Sequence, residues 1–236
     1  MEIFHFFLSY SITERKIDMR PIILILGRPL VSETKRNLYG TYQEVSEVIT
    51  RLGCSVIQLC PPTLESLTEE EEESLLQILS LCDGVLLQGG SDFYEYDLYI
   101  ARKAYEQNIP TLGICLGMQT MACAFQGTLD QIQNHQSLNE YVHSVRINKD
   151  SQLYQIIGHD QIMVNSRHQE VVTKTNLSVV ARSESGSIEA VEDPSKRFYI
   201  GVQWHPETIY KTDIYAQRLF QEFLIACQEE DHTKKA

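Results

Sequence analysis

Ile109-Pro110-Thr111-Leu112-Gly113-Ile114-Cys115-Leu116-Gly117-Met118-Gln119 is the stretch that decides the fold. Its first half is a short apolar run of strand character. Its second half opens an apolar-periodic stretch, Met118, Met121, Ala122 and Phe125, that stops at Gly127. A strand that passes within a residue or two into a helix is the junction of a β-α unit. Cys115 stands at that junction with a glycine two residues before it and another two after, the layout of a nucleophile elbow. The glycines permit a tight, strained turn that lifts the side chain above the sheet. The helix beginning just beyond the thiol points free backbone N–H groups at it, a field that favours thiolate over thiol. On this stretch alone a buried structural cysteine in a β-α turn is the competing reading.

Working outward, the same alternation recurs through the first half. Ile22 to Leu26 reads as a buried strand, Tyr42 to Leu52 as an amphipathic helix ending at Gly53, and Ser55 to Leu59 as a strand stopped by Pro61-Pro62. The acidic run Glu69 to Glu73 follows Thr68, with Glu71 three residues on, which is a capping box and an acidic first turn rather than a cation site. Gly84 to Leu87 is a further strand, and Leu98, Ala101 and Tyr105 mark the next helix. Repeated β-α units with nearly continuous apolar strands predict an α/β fold, a mostly parallel central sheet with helices on both faces. After Gly127 the pattern changes. Tyr141 to Ile147, Gln161 to Asn165, Leu177 to Ala181, Ser187 to Val191 and Phe198 to Gln203 predict antiparallel strands and hairpins added to the sheet. A last helix is predicted from about Asp213 to Cys227. The expected organisation is an appended lead over residues 1–19, one α/β domain over 20–227 and a polar tail over 228–236.

With 236 residues, 43% of them apolar and 22% charged, the chain has the composition of an ordinary globule able to bury a sizeable core. A formal charge of −12 argues against nucleic acid or an anionic membrane as partner. No apolar run reaches transmembrane length. The six cysteines form no Cys-x-x-Cys pair and several sit in apolar runs, which points to reduced thiols and a cytoplasmic location.

A cysteine nucleophile needs a base and a group that orients the base. Of the seven histidines, His205 stands out in Gly201-Val202-Gln203-Trp204-His205-Pro206-Glu207, at the end of a predicted strand. Ligand-handling residues of open α/β sheets gather at the carboxyl ends of strands, where Cys115 also stands. Glu207 is close enough to hold the imidazole, and Pro206 stiffens the link between them. A third strand-end element, Gln88-Gly89-Gly90-Ser91-Asp92, can present backbone N–H groups which, with that of Leu116, would form an oxyanion hole. His168 is a candidate pocket residue, with a satisfied loop histidine as the equal alternative; His143 reads as a plain strand residue, and His5, His135, His159 and His232 as surface residues. His205-Pro206-Glu207 matches half of a zinc deaminase signature, but no Cys-x-x-Cys follows and no cluster has zinc spacing. No metal and no cofactor are expected.

Together, Gly-Ile-Cys-Leu-Gly-Met-Gln, the Gly-Gly loop one strand earlier and Val-Gln-Trp-His-Pro-Glu resemble the class I glutamine amidotransferase superfamily, over nearly the whole chain from Arg20 to Cys227. The resemblance implies a flavodoxin-like sheet and a triad of Cys115, His205 and Glu207. It also implies a γ-glutamyl thioester intermediate, oxyanion donors at Gly90 and Leu116, and substrate contacts at Gly89, Gln119 and His168. Within the superfamily, the Gln88 to Asp92 loop, Val164-Asn165-Ser166-Arg167-His168-Gln169 and Trp204 are similar to the gamma-glutamyl hydrolase and gamma-glutamyl-gamma-aminobutyrate hydrolase branch, of peptidase C26 type. Leu116 where that branch often has Arg, Gln169-Glu170 after His168, and a loop without Pro after Asp92 depart from it. The implied activity is hydrolysis of a γ-glutamyl-amine or γ-glutamyl-peptide, a small-molecule substrate, with a homodimer left open. The alternatives are a glutaminase subunit that delivers ammonia to a partner synthase, and a non-catalytic binding or regulatory protein on the same fold.

Overall fold

The structure is a computed structural model and describes residues 20–132 and 136–229. The appended lead, most of the polar tail, His5, His135 and His232 lie outside the described residues. In chain order the elements are β1 (Ile22–Leu26), β2 (Arg28–Val31), β3 (Asn37–Gly40), α1 (Gln43–Arg51), β4 (Ser55–Leu59), α2 (Glu69–Ser80), β5 (Gly84–Leu87), α3 (Glu95–Glu106), β6 (Thr111–Ile114) and α4 (Leu116–Ala124). The second half holds β7 (Thr128–Gln131), β8 (His143–Ile147), α5 (Gln152–Ile157), β9 (Gln161–Val164), β10 (Glu170–Lys174), β11 (Ser178–Ser183), β12 (Ile188–Glu192), β13 (Tyr199–Val202), α6 (Pro206–Ile209) and α7 (Ile214–Gln228).

Nine strands form one sheet in the order β4-β1-β5-β6-β13-β12-β11-β8-β9. The first five are mutually parallel, and within that set the spatial order is 2-1-3-4-5, the flavodoxin-like arrangement. Alternation along β1 divides the core. Ile23 and Ile25 face Val45, Val48 and Ile49 of α1 and Phe220 and Phe223 of α7. Leu24 and Leu26 face Leu75 and Leu79 of α2, Tyr96 and Ile100 of α3 and Met118 and Met121 of α4. Each such side chain, fully buried, contributes about 1.5–3 kcal/mol relative to exposure. The acidic run behaves as a helix start. Thr68 accepts the Glu71 N–H at 3.3 Å, and Glu71 accepts the Thr68 N–H at 2.8 Å. Among the described residues no helix is long and apolar enough to cross a membrane.

Strands β8, β9, β11 and β12 are antiparallel additions, as their alternation predicts. β13 corrects the expectation for Phe198 to Gln203. It is antiparallel to β12 but parallel to β6, pairing Tyr199 with Thr111 and Val202 with Ile114. Alternation fixes which face a residue takes, not which way a strand runs. β12 is buried throughout like β13 yet runs antiparallel to both neighbours, so burial marks a central strand without fixing its direction. The β2–β3 hairpin and the β7–β10 pair stand outside the main sheet and were not anticipated.

Candidate active site

Cys115 occupies the one-residue turn between β6 and α4 with φ 53° and ψ −105°. A non-glycine residue in that backbone region is strained by about 1–3 kcal/mol. The surroundings impose it. Upstream, the Cys115 N–H donates to Val202 O at 2.8 Å, continuing the β6–β13 ladder to its last rung. Downstream, the Cys115 carbonyl accepts the Gln119 N–H at 3.1 Å and starts the helix. The turn is as tight as the glycines allow. A β-carbon on Gly117 would run into the carbonyl of Leu87, and one on Gly113 would stand 2.8 Å from the Gly117 carbonyl. The thiol is thereby held at the N-terminus of α4.

His205 lies just past β13 and caps α6, with Pro206 as the first helical residue. Its Nδ1 is 2.7 Å from Glu207 Oε1, and the ring interacts electrostatically with Cys115. Gly89 sits beside both: a β-carbon there would be 2.9 Å from His205 Cε1 and 3.8 Å from Cys115 Cβ. Burial works against a charged His205. The Glu207 carboxylate, its hydrogen bond to the ring and the nearby Cys115 outweigh it and raise the imidazole to about 10. Glu207 itself is buried, and its second oxygen has no hydrogen-bond donor among the described residues. An imidazolium is the charge that compensates it.

At neutral pH His205 therefore carries the proton, and it loses it as pH rises through about 10. A step that needs His205 as an acid should fall off on that alkaline limb. Glu207→Gln removes the largest raising influence, so the limb is expected to move to lower pH and kcat to drop roughly 10²- to 10⁴-fold. A pH–rate profile of the two proteins checks this.

Asn165, which the sequence offers only as part of the Val164 to Gln169 segment and with no role of its own, is a supporting residue of the site. It is fully buried, accepts the His205 N–H at 2.7 Å and donates to the His205 carbonyl at 2.9 Å and to Thr208 Oγ1 at 3.1 Å. One amide thus clamps the backbone on both sides of the imidazole. Asn165→Ala leaves the His205 N–H unpaired, at about 1–3 kcal/mol, while the His205 carbonyl keeps the Thr208 hydroxyl at 3.0 Å. Urea unfolding should show that loss, and kcat should fall more than KM rises. Gln203 is another such residue; its Nε2 is 3.6 Å from Cys115 Sγ.

The remaining candidates fall on one side of the thiol. Gln119 Nε2 donates to the Glu170 carbonyl at 2.9 Å, and His168 Nδ1 is 2.9 Å from the same oxygen. Gln88 reaches from the Gly89-Gly90 loop to the Leu26 carbonyl at 2.6 Å and accepts the Tyr42 N–H at 2.9 Å, fixing the loop to the ends of β1 and α1. Gly90 packs beside Leu116, whose δ-carbon lies 2.9 Å from where a Gly90 β-carbon would be. Two clefts open from Cys115. One, of about 490 Å³, includes Gly90, Gln119, His168 and Glu170, with Gln131 of β7 forming part of its wall. The other, of about 320 Å³, includes Glu44, His205, Glu207 and Thr208. Tyr42, Gly90 and Arg167 border both. Of the other thiols, burial pushes Cys54, Cys123 and Cys227 upward and Cys82 to about 11, leaving them protonated. His143 pairs with buried Glu189 at 3.2 Å, and exposed His159 packs edge-on against Tyr215.

The peptidase C26 family model matches residues 94–207, a span that contains the elbow, Asn165, His205 and Glu207. A glutamine amidotransferase-like protein of Lactococcus lactis is 27% identical, covering 86% of this chain and 97% of that protein. GMP synthase [glutamine-hydrolyzing] of Francisella tularensis subsp. novicida is 28% identical over 145 residues, which is 60% of this chain and 27% of the synthase. Among solved structures, the glutaminase domain of Trypanosoma brucei CTPS superposes with a TM-score of 0.69 at 22% identity, over 90% of this chain and 95% of that one. These matches support the class I glutamine amidotransferase-like superfamily, C26 type, and with it a cysteine-dependent hydrolysis of a glutamine amide.

Proposed function

We infer that the protein hydrolyses the γ-glutamyl amide bond of a γ-glutamyl-amine or γ-glutamyl-peptide through a thioester on Cys115. The observation that carries this reading is the imidazole of His205, held at 2.7 Å by a buried carboxylate and lining one cleft with a thiol on a strained strand–helix turn. With the proton on His205, the sulfur attacks the γ-carbonyl carbon. The carbonyl π pair moves onto oxygen, where the N–H groups of Gly90 and Leu116 receive the charge. Collapse re-forms the C=O and breaks the C–N bond, and the departing amine takes the His205 proton. A water then gives a proton to His205 and its oxygen to the acyl carbon. The C–S bond breaks, glutamate leaves, and the proton returns to the thiol–imidazole pair.

The proton donor fixes the directions of the two clefts. The amine must leave on the side lined by His205, so the glutamyl head occupies the side lined by Gln119 and His168. The test is a panel of glutamine, γ-glutamyl-amines and γ-glutamyl-peptides with the purified protein alone. Faster release of the larger amines than of ammonia supports the reading, and glutamine as the sole substrate overturns it. The GMP synthase relative favours a second reading, a glutaminase that hands ammonia to a partner synthase. Glutamine hydrolysis that appears only when such a partner is added would establish that instead.

A further inference from the structure

We propose that Arg28 is a positioning residue for the Gly89-Gly90 loop and sets the backbone that receives the oxyanion formed at Cys115; this rests on the hydrolase reading above. Arg28 is the first residue of β2, in a hairpin that the reaction itself does not use, yet it is only 6% exposed. Its guanidinium pairs with Asp97 and donates to the Tyr96 hydroxyl at 2.7 Å and to the Asp92 carbonyl at 3.2 Å. Asp97 in turn accepts the Tyr94 N–H at 2.8 Å, and the Tyr96 hydroxyl donates to Gly27 O at 3.1 Å, just before the arginine. The arginine stem fills the space beside Gly90, where a β-carbon would lie 2.8 Å from Arg28 Cδ. One side chain therefore bears on Gly90, holds Asp92 and, through Asp97, fixes Tyr94, which together span the loop from the oxyanion donor to the start of α3.

Packing alone does not call for a guanidinium, because an apolar pair in place of both Arg28 and Asp97 would fill the space as well, whereas removing Arg28 alone leaves Asp97 buried without its cation. What a guanidinium adds is direction: a planar fork of donors at fixed angles, able to serve three acceptors at once. An oxyanion donor has to stand where charge will develop before it develops, and a misplacement of about 1 Å can cost roughly 10²-fold. The fork is placed to prevent that movement.

The experiment compares wild type, Arg28→Lys and Arg28→Met in the full chain. It reads kcat and KM for γ-glutamyl-p-nitroanilide, the rate at which iodoacetamide alkylates Cys115 by peptide mapping, and Tm. Alkylation forms no oxyanion, so it reports the thiol alone. Both variants are expected to lose about 10- to 100-fold in kcat, with KM within about threefold and alkylation within about twofold. Arg28→Lys keeps a cation against Asp97 but cannot span to Asp92, so it should recover Tm without recovering kcat. Recovery of kcat together with Tm, or equal losses of kcat and alkylation rate, would reduce Arg28 to a structural residue and overturn the inference. Variants that match wild type would overturn it alone, whereas a wild type that releases no p-nitroaniline overturns the hydrolase reading and this inference with it.

Discussion

Replacing Cys115 by alanine is expected to lower turnover of a γ-glutamyl amide by about 10⁴-fold or more while leaving the fold intact. Cys115 is the member of the site that forms and breaks a bond to the substrate carbon in the proposed cycle, so no neighbour can substitute for it. Its side chain is buried in the core, but alanine keeps the β-carbon and gives up only the sulfur and its contact with Gln203 Nε2 at 3.6 Å. The backbone makes a second, separable prediction. At φ 53° and ψ −105° any β-carbon is strained, and glycine is not. Cys115→Gly should therefore be as inactive as Cys115→Ala but more stable than it, by about 1–2 kcal/mol. Two inactive variants that differ in this direction in urea would show that the turn is held under strain by its surroundings. Equal stabilities would mean the helix start relaxes when the sulfur is removed.

Gly117→Ala is expected to be the most damaging single-methyl change in the molecule. The added carbon has no free direction. It meets the Leu87 carbonyl oxygen and lies 2.6 Å from the Leu87 carbonyl carbon and 2.8 Å from its Cβ. These are backbone and β-carbon atoms of a fully buried central strand, not the end of a flexible side chain, so α4 must move away from β5. Overpacking of this kind costs about 3 kcal/mol or more, a fall in Tm of roughly 6–12 °C for a chain of this size. Moving α4 also moves Cys115 and the Leu116 N–H, so kcat should fall in whatever fraction stays folded. Calorimetry and kcat measured well below Tm separate the two effects.

Most of the site was legible because it is local. Each of the three chemical elements sits within a few residues of a strand end: Cys115 after β6, Gly89-Gly90 after β5, His205 and Glu207 after β13. Composition and alternation locate strand ends well, and parallel strands bring their carboxyl ends to one edge. What escaped was carried by long-range hydrogen bonds. Asn165 meets His205 across 40 residues and Arg28 meets Asp97 across 69. Arg28 has no local pattern that would announce it, and the Val164 to Gln169 segment that holds Asn165 carries nothing that points to His205. The β7–β10 pair escaped for a different reason. Thr128–Gln131 is largely exposed and polar, so it lacks the alternation that marks a half-buried strand, yet it walls the larger cleft. The direction of β13 depends on its neighbours, β6 and β12, rather than on its own residues.

The central claim is a γ-glutamyl group carried on one sulfur. Its most direct test is mass spectrometry of peptides from protein mixed with γ-glutamyl-p-nitroanilide and quenched in acid within a turnover. The account predicts one γ-glutamyl acyl group on the peptide that contains Cys115, removable by hydroxylamine as a thioester is, and none on peptides carrying Cys54, Cys60, Cys82, Cys123 or Cys227. Release of p-nitroaniline at full rate by protein whose Cys115 is already alkylated, with that peptide never acylated, would contradict it.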